Sequence, residues 1–204
     1  FFRTHAPCGG PPVPTMDLAQ FLRTASAVVP PGTPVERQHE VLQRLLPLTH
    51  PTAEDQASLV NALLLCGPSG TPQELTLRLC ALYAALCHLQ SPGPAPEGLL
   101  LGALEGHCLP LLCHRPIPLA MLPVLCLTLQ DEQCRSMVGP IFAQSLAGVA
   151  DPHTQTAYPA ISILHAMHHL LEVPTIQPEW IAALVEPTLR AGLQVLTLAD
   201  GHPD

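Results

Sequence analysis

The residues best suited to chemistry in this 204-residue chain are histidines and cysteines, and they gather in two places. His107-Cys108 and Cys113-His114 put nitrogen and sulfur donors close together, the kind zinc takes, usually as pairs set two to four residues apart and repeated at a distance. The residues between them, Leu109-Pro110-Leu111-Leu112, read as core, and on a helix His107 and His114 share one face with Cys108 on the next. The second place is His165, His168 and His169 with Glu172, where His165 to His169 and His168 to Glu172 are both i,i+4 steps on one helix. A zincin-type helix needs a glutamate straight after its first histidine to act as base, and Ala166 stands there. Buried thiols and helix-boundary histidines account for the first cluster. A histidine-rich polar helix face accounts for the second, with a pH-sensitive partner surface as its functional use, since histidine titrates near neutrality. A zinc-binding helical domain is the alternative function.

Other routes to catalysis are weaker. No Gly-x-Ser-x-Gly elbow occurs, and Gly67-Pro68-Ser69-Gly70-Thr71 lacks the lysine and spacing of a phosphate-binding loop. Cys87-His88 is adjacent in sequence, but helical neighbours point about 100° apart, which is poor geometry for a thiolate-imidazolium pair. The acid pairs Glu54-Asp55 and Asp131-Glu132 fall at expected helix starts, where capping and the helix dipole explain them. The expectation is a protein that is not an enzyme, with no cofactor and no small-molecule ligand.

Composition narrows the partners. All eight cations are arginine, none is lysine, and with 16 acids the net charge is -8, so phosphate-driven nucleic-acid binding is not expected. The absence of lysine also removes Schiff-base chemistry. Hydrophobic residues make up 48% and charged residues 12%, half the usual charged share of about 25%. No uncharged apolar run reaches the roughly 18 residues a spanning helix needs; the best, Pro116 to Gln130, is short and holds three prolines. Seven of the eight cysteines sit in or at the end of apolar segments, which favours buried free thiols over a disulfide framework. Asn61 is not in a glycosylation sequon. These features place the chain inside the cell, in cytosol or nucleus. The first residues, beginning at Phe1, lack a signal-peptide pattern and read as a domain cut from a longer protein.

The elements that must carry these residues are helices. Strand alternation and hairpin turns are absent, Leu and Ala dominate, and many of the 25 prolines fall between apolar stretches. Thr33-Pro34-Val35-Glu36 and Thr71-Pro72-Gln73-Glu74 each offer a threonine N-cap, a first-turn proline and a glutamate for a capping box. Thr52-Ala53-Glu54-Asp55 is a weaker copy, and Thr15-Met16-Asp17 a further start. The threonines at 15, 33, 52 and 71 stand 18, 19 and 19 residues apart, room for a helix and a short turn. Apolar positions agree: Val35, Val41, Leu42, Leu45, Leu46 and Leu48 suit one face, then Leu59, Val60, Leu63 and Leu64 before a Cys66-Gly67-Pro68 stop. Leu75, Leu79, Leu82, Leu86 and Leu89 follow at steps of three and four, with apolar residues on the other sides too, as in a helix covered by several neighbours.

Beyond the Ser91 to Pro96 loop, helices are expected near Glu97 to Cys113, Leu119 to Leu129, Glu132 to Val149, Thr156 to Leu171 and Pro178 to Leu198, with Pro110, Pro123, Pro140 and Pro159 kinking or delaying them. The expected fold is all-α, about nine antiparallel helices stacked as hairpins in an α-solenoid segment. Residues 15–198 form one helical-repeat domain with a possible sub-boundary at 91–96, a flexible 1–14 segment before it and a frayed 199–204 tail after it.

On the Thr-Pro-x-Glu starts and the pitch of about 19 residues over Thr15 to Leu89, the chain resembles HEAT-like or armadillo-like helical-repeat proteins. That resemblance implies a non-catalytic protein-protein interaction scaffold, a domain of a larger intracellular protein or a subunit of a complex. The expected partner is another protein or the rest of the parent chain. The sole tryptophan, Trp180, lies with Tyr158 and several β-branched residues close to the histidine cluster. Tyr158, His165, His168, His169 and Trp180 are therefore the partner-binding candidates, because exposed aromatics anchor interfaces; the competing role for Trp180 is to close the end of the core.

Overall fold

A computed structural model describes residues 16–91, 93, 95–96, 98–112, 118–138, 185 and 189. Among them every regular element is helical. The helices are α1 (Leu18–Val28), α2 (Val35–Thr49), α3 (Ala53–Cys66), α4 (Pro72–Gln90), α5 (Leu99–Ala103), a π turn (Leu104–Cys108), α6 (Leu109–Leu112) and α7 (Met121–Thr128). Residues 132–138 are also helical, as are Val185 and Leu189. The all-α expectation holds for this part of the chain. The expected helix over Thr156 to Leu171 lies outside the described residues, as does most of Pro178 to Leu198.

Local chemistry sets the helix starts. Asp17 caps α1 by accepting from the Gln20 N–H at 2.7 Å. Thr52 and Thr71 form complete capping boxes with Asp55 and Glu74, and Pro72 occupies the first turn of α4. Thr52 therefore makes a stronger start than its sequence suggests. Thr33 makes none. Its hydroxyl and its N–H both donate to Pro30 O, at 2.6 and 3.2 Å, closing a turn through Pro31 and Gly32, and α2 begins from Pro34 without a side-chain cap. A proline at the second turn position and a glycine with φ +84° at the third are what such a turn asks for, so the hydroxyl is used before the helix begins.

Two prolines inside helices are accommodated in different ways. Pro47, in the last turn of α2, has no N–H for the Gln43 carbonyl, and His88 Nε2 of α4 donates to that oxygen at 3.0 Å. Pro110 is the second residue after the π turn, whose last bond runs from Leu109 N–H back to Leu104 O; the wider turn makes room for the ring. Pro123 falls within the first turn of α7, where a missing N–H costs little.

The helices pack in an alternating order. α2 lies on α4, and α4 on α7; α1 touches α3, and α3 packs on α5 and the π turn. The two rows are joined by α1 with both α2 and α4, by α3 with α4, and by α5 and the π turn with α7. α4 is the hub, with nine buried residues, among them Leu79, Leu82 and Leu86 at 0% exposure. Truncating a leucine in such a site typically costs about 2–5 kcal/mol. Leu42, Leu46, Leu59, Val60 and Leu63 fill the same core as expected, whereas Leu48, assigned to the core face of α2, is 76% exposed. It is the next-to-last residue of α2 and stands about 120° around the helix from Leu42, off the buried face of Gln38, Leu42, Leu46 and Thr49.

Close approach of α3 to the next layer depends on glycine. A Cβ on Gly102 would stand 2.9 Å from Leu64 Cδ1, and Gly106, four residues on, lies under the Leu64 carbonyl. His107 then donates from Nε2 to Leu63 O at 3.1 Å, capping a carbonyl in the last turn of α3, where Gly67 N–H bonds Leu64 O instead. His50 ties the first layer together. Its Nε2 donates to Met16 O at 3.0 Å, its ring meets Phe21 edge-on at 5.3 Å, and its own carbonyl accepts from Gln56 Nε2.

Candidate functional site

Among the described residues a concave surface runs between α1 and the first two turns of α4. Leu22 and Ser26 stand on one face of α1 with Val29 just past its end, and Glu74, Leu77 and Arg78 on the facing side of α4. One end, about 570 Å³, is lined by Leu22, Arg23, Cys66, Ser69, Gly70 and Arg78; the other, about 500 Å³, by Pro30, Pro31, Thr33, Gln38 and Gln73. The two share Ser26, Glu74 and Leu77, so they form one groove.

Its ends are held by two tight turns. At the 30–33 end, Gln38 Nε2 donates to Thr33 O at 2.8 Å and fixes the Pro-Pro-Gly-Thr turn against α2. At the 67–70 end, Gly67 terminates α3 with φ +60°, and Ser69 Oγ donates to Cys66 O at 3.1 Å. Gly70, with φ +118°, lets Arg78 and Glu74 lie across the loop: a Cβ there would come within 2.6 Å of Arg78 Nη2 and 3.1 Å of Glu74 Oε2. Arg78 Nη1 also reaches Gly67 O at 3.5 Å.

Charge in the groove is unevenly committed. Glu74 Oε2 accepts from both the N–H and the hydroxyl of Thr71, each at 3.0 Å, and these bonds, with attraction from Arg78, hold its carboxyl below the usual range. The Glu74 N–H in turn donates to Thr71 Oγ1. Arg23 is exposed, and among the described residues neither it nor Arg78 forms an ion pair, whereas Arg37 pairs with Glu40 at 3.0 Å. Cys66, exposed beside them, is a free thiol.

The other chemistry candidates have structural occupations. Cys108 is fully buried and its thiol is pushed far up by desolvation; His107, buried beside it, is lowered by burial and spends Nε2 on Leu63 O. Cys113 and His114 lie outside the described residues. His88 holds the Gln43 carbonyl, while burial raises the neighbouring Cys87 thiol, so the two do not meet as an ion pair. Burial pushes Cys80, Cys126 and Cys134 up to about 12 each. Cys66 is the departure from the expected buried thiols. Among the described residues no three His, Cys, Asp or Glu side chains gather to hold a metal, and no helix is long and apolar enough to cross a membrane.

Tyr158, His165, His168, His169 and Trp180 all lie outside the described residues. The groove was not anticipated from the sequence: Arg23, Ser26, Leu77 and Arg78 carry no motif, and Gly67-Pro68-Ser69-Gly70 reads only as the stop of a helix and a failed phosphate loop. The available signal was that two of just eight cations in a lysine-free chain border helices facing that loop. No protein-family model, curated protein or solved structure matches the chain.

Proposed function

We propose that the chain is a non-catalytic interaction scaffold of HEAT-like or armadillo-like helical repeats, continuing to about nine helices, that binds another protein as part of a larger intracellular protein or complex. The observation that carries this reading is the alternating packing order, in which α2, α4 and α7 form one row and α1, α3 and α5 with its π turn the other. Stacked two-helix repeats produce that order, because each hairpin buries its faces against the next hairpin.

The groove between α1 and α4 is a surface such a scaffold would present, and the thiols and histidines of the core are used in packing and carbonyl capping. Tyr158, His165, His168, His169 and Trp180 remain the proposed contact set of the C-terminal helices. The test is affinity capture with the full chain, repeated with Trp180→Ala. The expected result is loss of captured protein with helical circular dichroism unchanged. Unfolding of the variant assigns Trp180 to the core, and a wild-type chain that retains no protein partner overturns the scaffold reading.

A further inference from the structure

Three features of the α1/α4 groove select its occupant. The first is charge. In a chain of net charge -8, Arg23 and Arg78 line the same end of one groove, and among the described residues neither is neutralised in an ion pair. The nearby acid, Glu74, is held by the Thr71 cap and attracts Arg78 without closing an ion pair with it. The second is that the N-terminus of α4 is closed from within, since Thr71 Oγ1 takes the Glu74 N–H. An anion at this end must therefore be held by guanidinium groups, which pair with carboxylates in a planar, two-pronged geometry. The third is the floor: half-buried Leu22 and buried Leu77 lie beside the arginines, and the groove runs on past Val29 to Pro30 and Pro31.

We propose that this groove binds an acidic peptide, with one carboxylate side chain held between Arg23 and Arg78 and a neighbouring apolar side chain covering Leu22 and Leu77. The proposal rests on the interaction-scaffold reading and gives that scaffold's partner a chemistry. A polyanion such as nucleic acid is disfavoured, because two arginines against Glu74 and a surplus of acids elsewhere leave no extended positive track. One or two carboxylates beside an apolar residue match both the charge and the floor.

The test uses the full chain and a fluorescein-labelled peptide of alternating Asp and Leu, with a Lys-Leu peptide of the same length as control. Anisotropy should show saturable, salt-weakened binding of the Asp-Leu peptide alone. Arg23→Glu, at an exposed position, should weaken it at least tenfold, and Arg44→Glu, an exposed arginine outside the groove, should leave it within twofold. Saturating peptide should also slow N-ethylmaleimide alkylation of Cys66, read by peptide mass, because that thiol lines the same end. Equal binding of the Lys-Leu peptide, no binding of the Asp-Leu peptide, indifference to Arg23→Glu or an unchanged Cys66 rate each overturns the assignment. If the groove fails while wild type and Arg23→Glu capture the same protein equally, the scaffold reading stands without it; if neither captures any, that reading falls separately.

Discussion

Pro47 and His88 are coupled through one oxygen: the proline leaves the Gln43 carbonyl without its helical donor, and His88 Nε2 supplies one from 45 positions along the chain at 3.0 Å. The bond joins α2 to α4, the helices that form the main interface of the row made by α2, α4 and α7. Removing the imidazole by His88→Ala should cost about 1 kcal/mol, the usual net worth of such a bond. Pro47→Ala restores a backbone N–H to Gln43 O and should reduce the cost of His88→Ala. Urea denaturation of the two single variants and the double variant measures the coupling. Strict additivity would show that the carbonyl is satisfied in some other way.

Capping provides a sharper contrast, because two sites with the same Thr-Pro-x-Glu pattern fold differently. Thr71→Ala removes a hydroxyl that engages both the Glu74 N–H and its carboxylate, and should cost about 1 kcal/mol of stability. Thr33→Ala removes only a turn bond to Pro30 O on an exposed loop, and should cost less than half as much. Thermal or urea unfolding of both variants decides it. Equal losses would mean that Thr33 caps α2 after all.

That contrast marks where the sequence was legible. Helix positions up to Thr128 followed from leucine spacing, and Thr52 and Thr71 could be identified because a cap acts within three residues. Thr33 misled because the competing Pro30-Pro31-Gly32 turn uses the same hydroxyl, a choice between two local motifs that pattern alone does not resolve. Long-range features left no local trace. The His88 to Gln43 and His107 to Leu63 bonds span 45 and 44 residues, and the groove joins side chains from α1, α3 and α4 that only packing brings together. Leu48 looked like core because it continues a run of leucines, but it stands about 160° around the helix from buried Leu46 and so on the exposed side.

Gly102 should be intolerant of bulk. Gly102→Val would drive its side chain into Leu64, whose Cδ1 already lies 2.9 Å from where a Cβ would stand, and would part α3 from α5. Overpacking of this kind costs about 1–3 kcal/mol. The double variant Gly102→Val, Leu64→Ala should recover part of the loss, because the contact is with the end of a flexible side chain. No recovery in chemical denaturation would place the conflict in the backbone.

Acidification should weaken the fold in a window set by histidine. Burial lowers His39, His50 and His107 below the usual 6.5. For His39 the opposing pull of Glu36 is the smaller effect, and on the other side its ring lies against Tyr83 at 4.5 Å. A lowered folded value means that, just below 6.5, the unfolded chain binds more protons than the folded one. Their stability contribution is therefore complete above that pH and is lost as the pH falls through the folded values. Glu74 shifts in the opposite sense relative to its charge: its contribution is present above the ordinary carboxylate value of 4.5 and lost only below it, so Tm between pH 7.5 and 5.5 reports mainly on histidine. Tm should fall across that interval. His39→Phe keeps the stacking on Tyr83 and removes Nε2, a buried atom without a hydrogen-bond partner, so it should flatten part of the slope. A flat wild-type profile, or an unchanged slope in His39→Phe, would show that these rings are not held neutral by the fold.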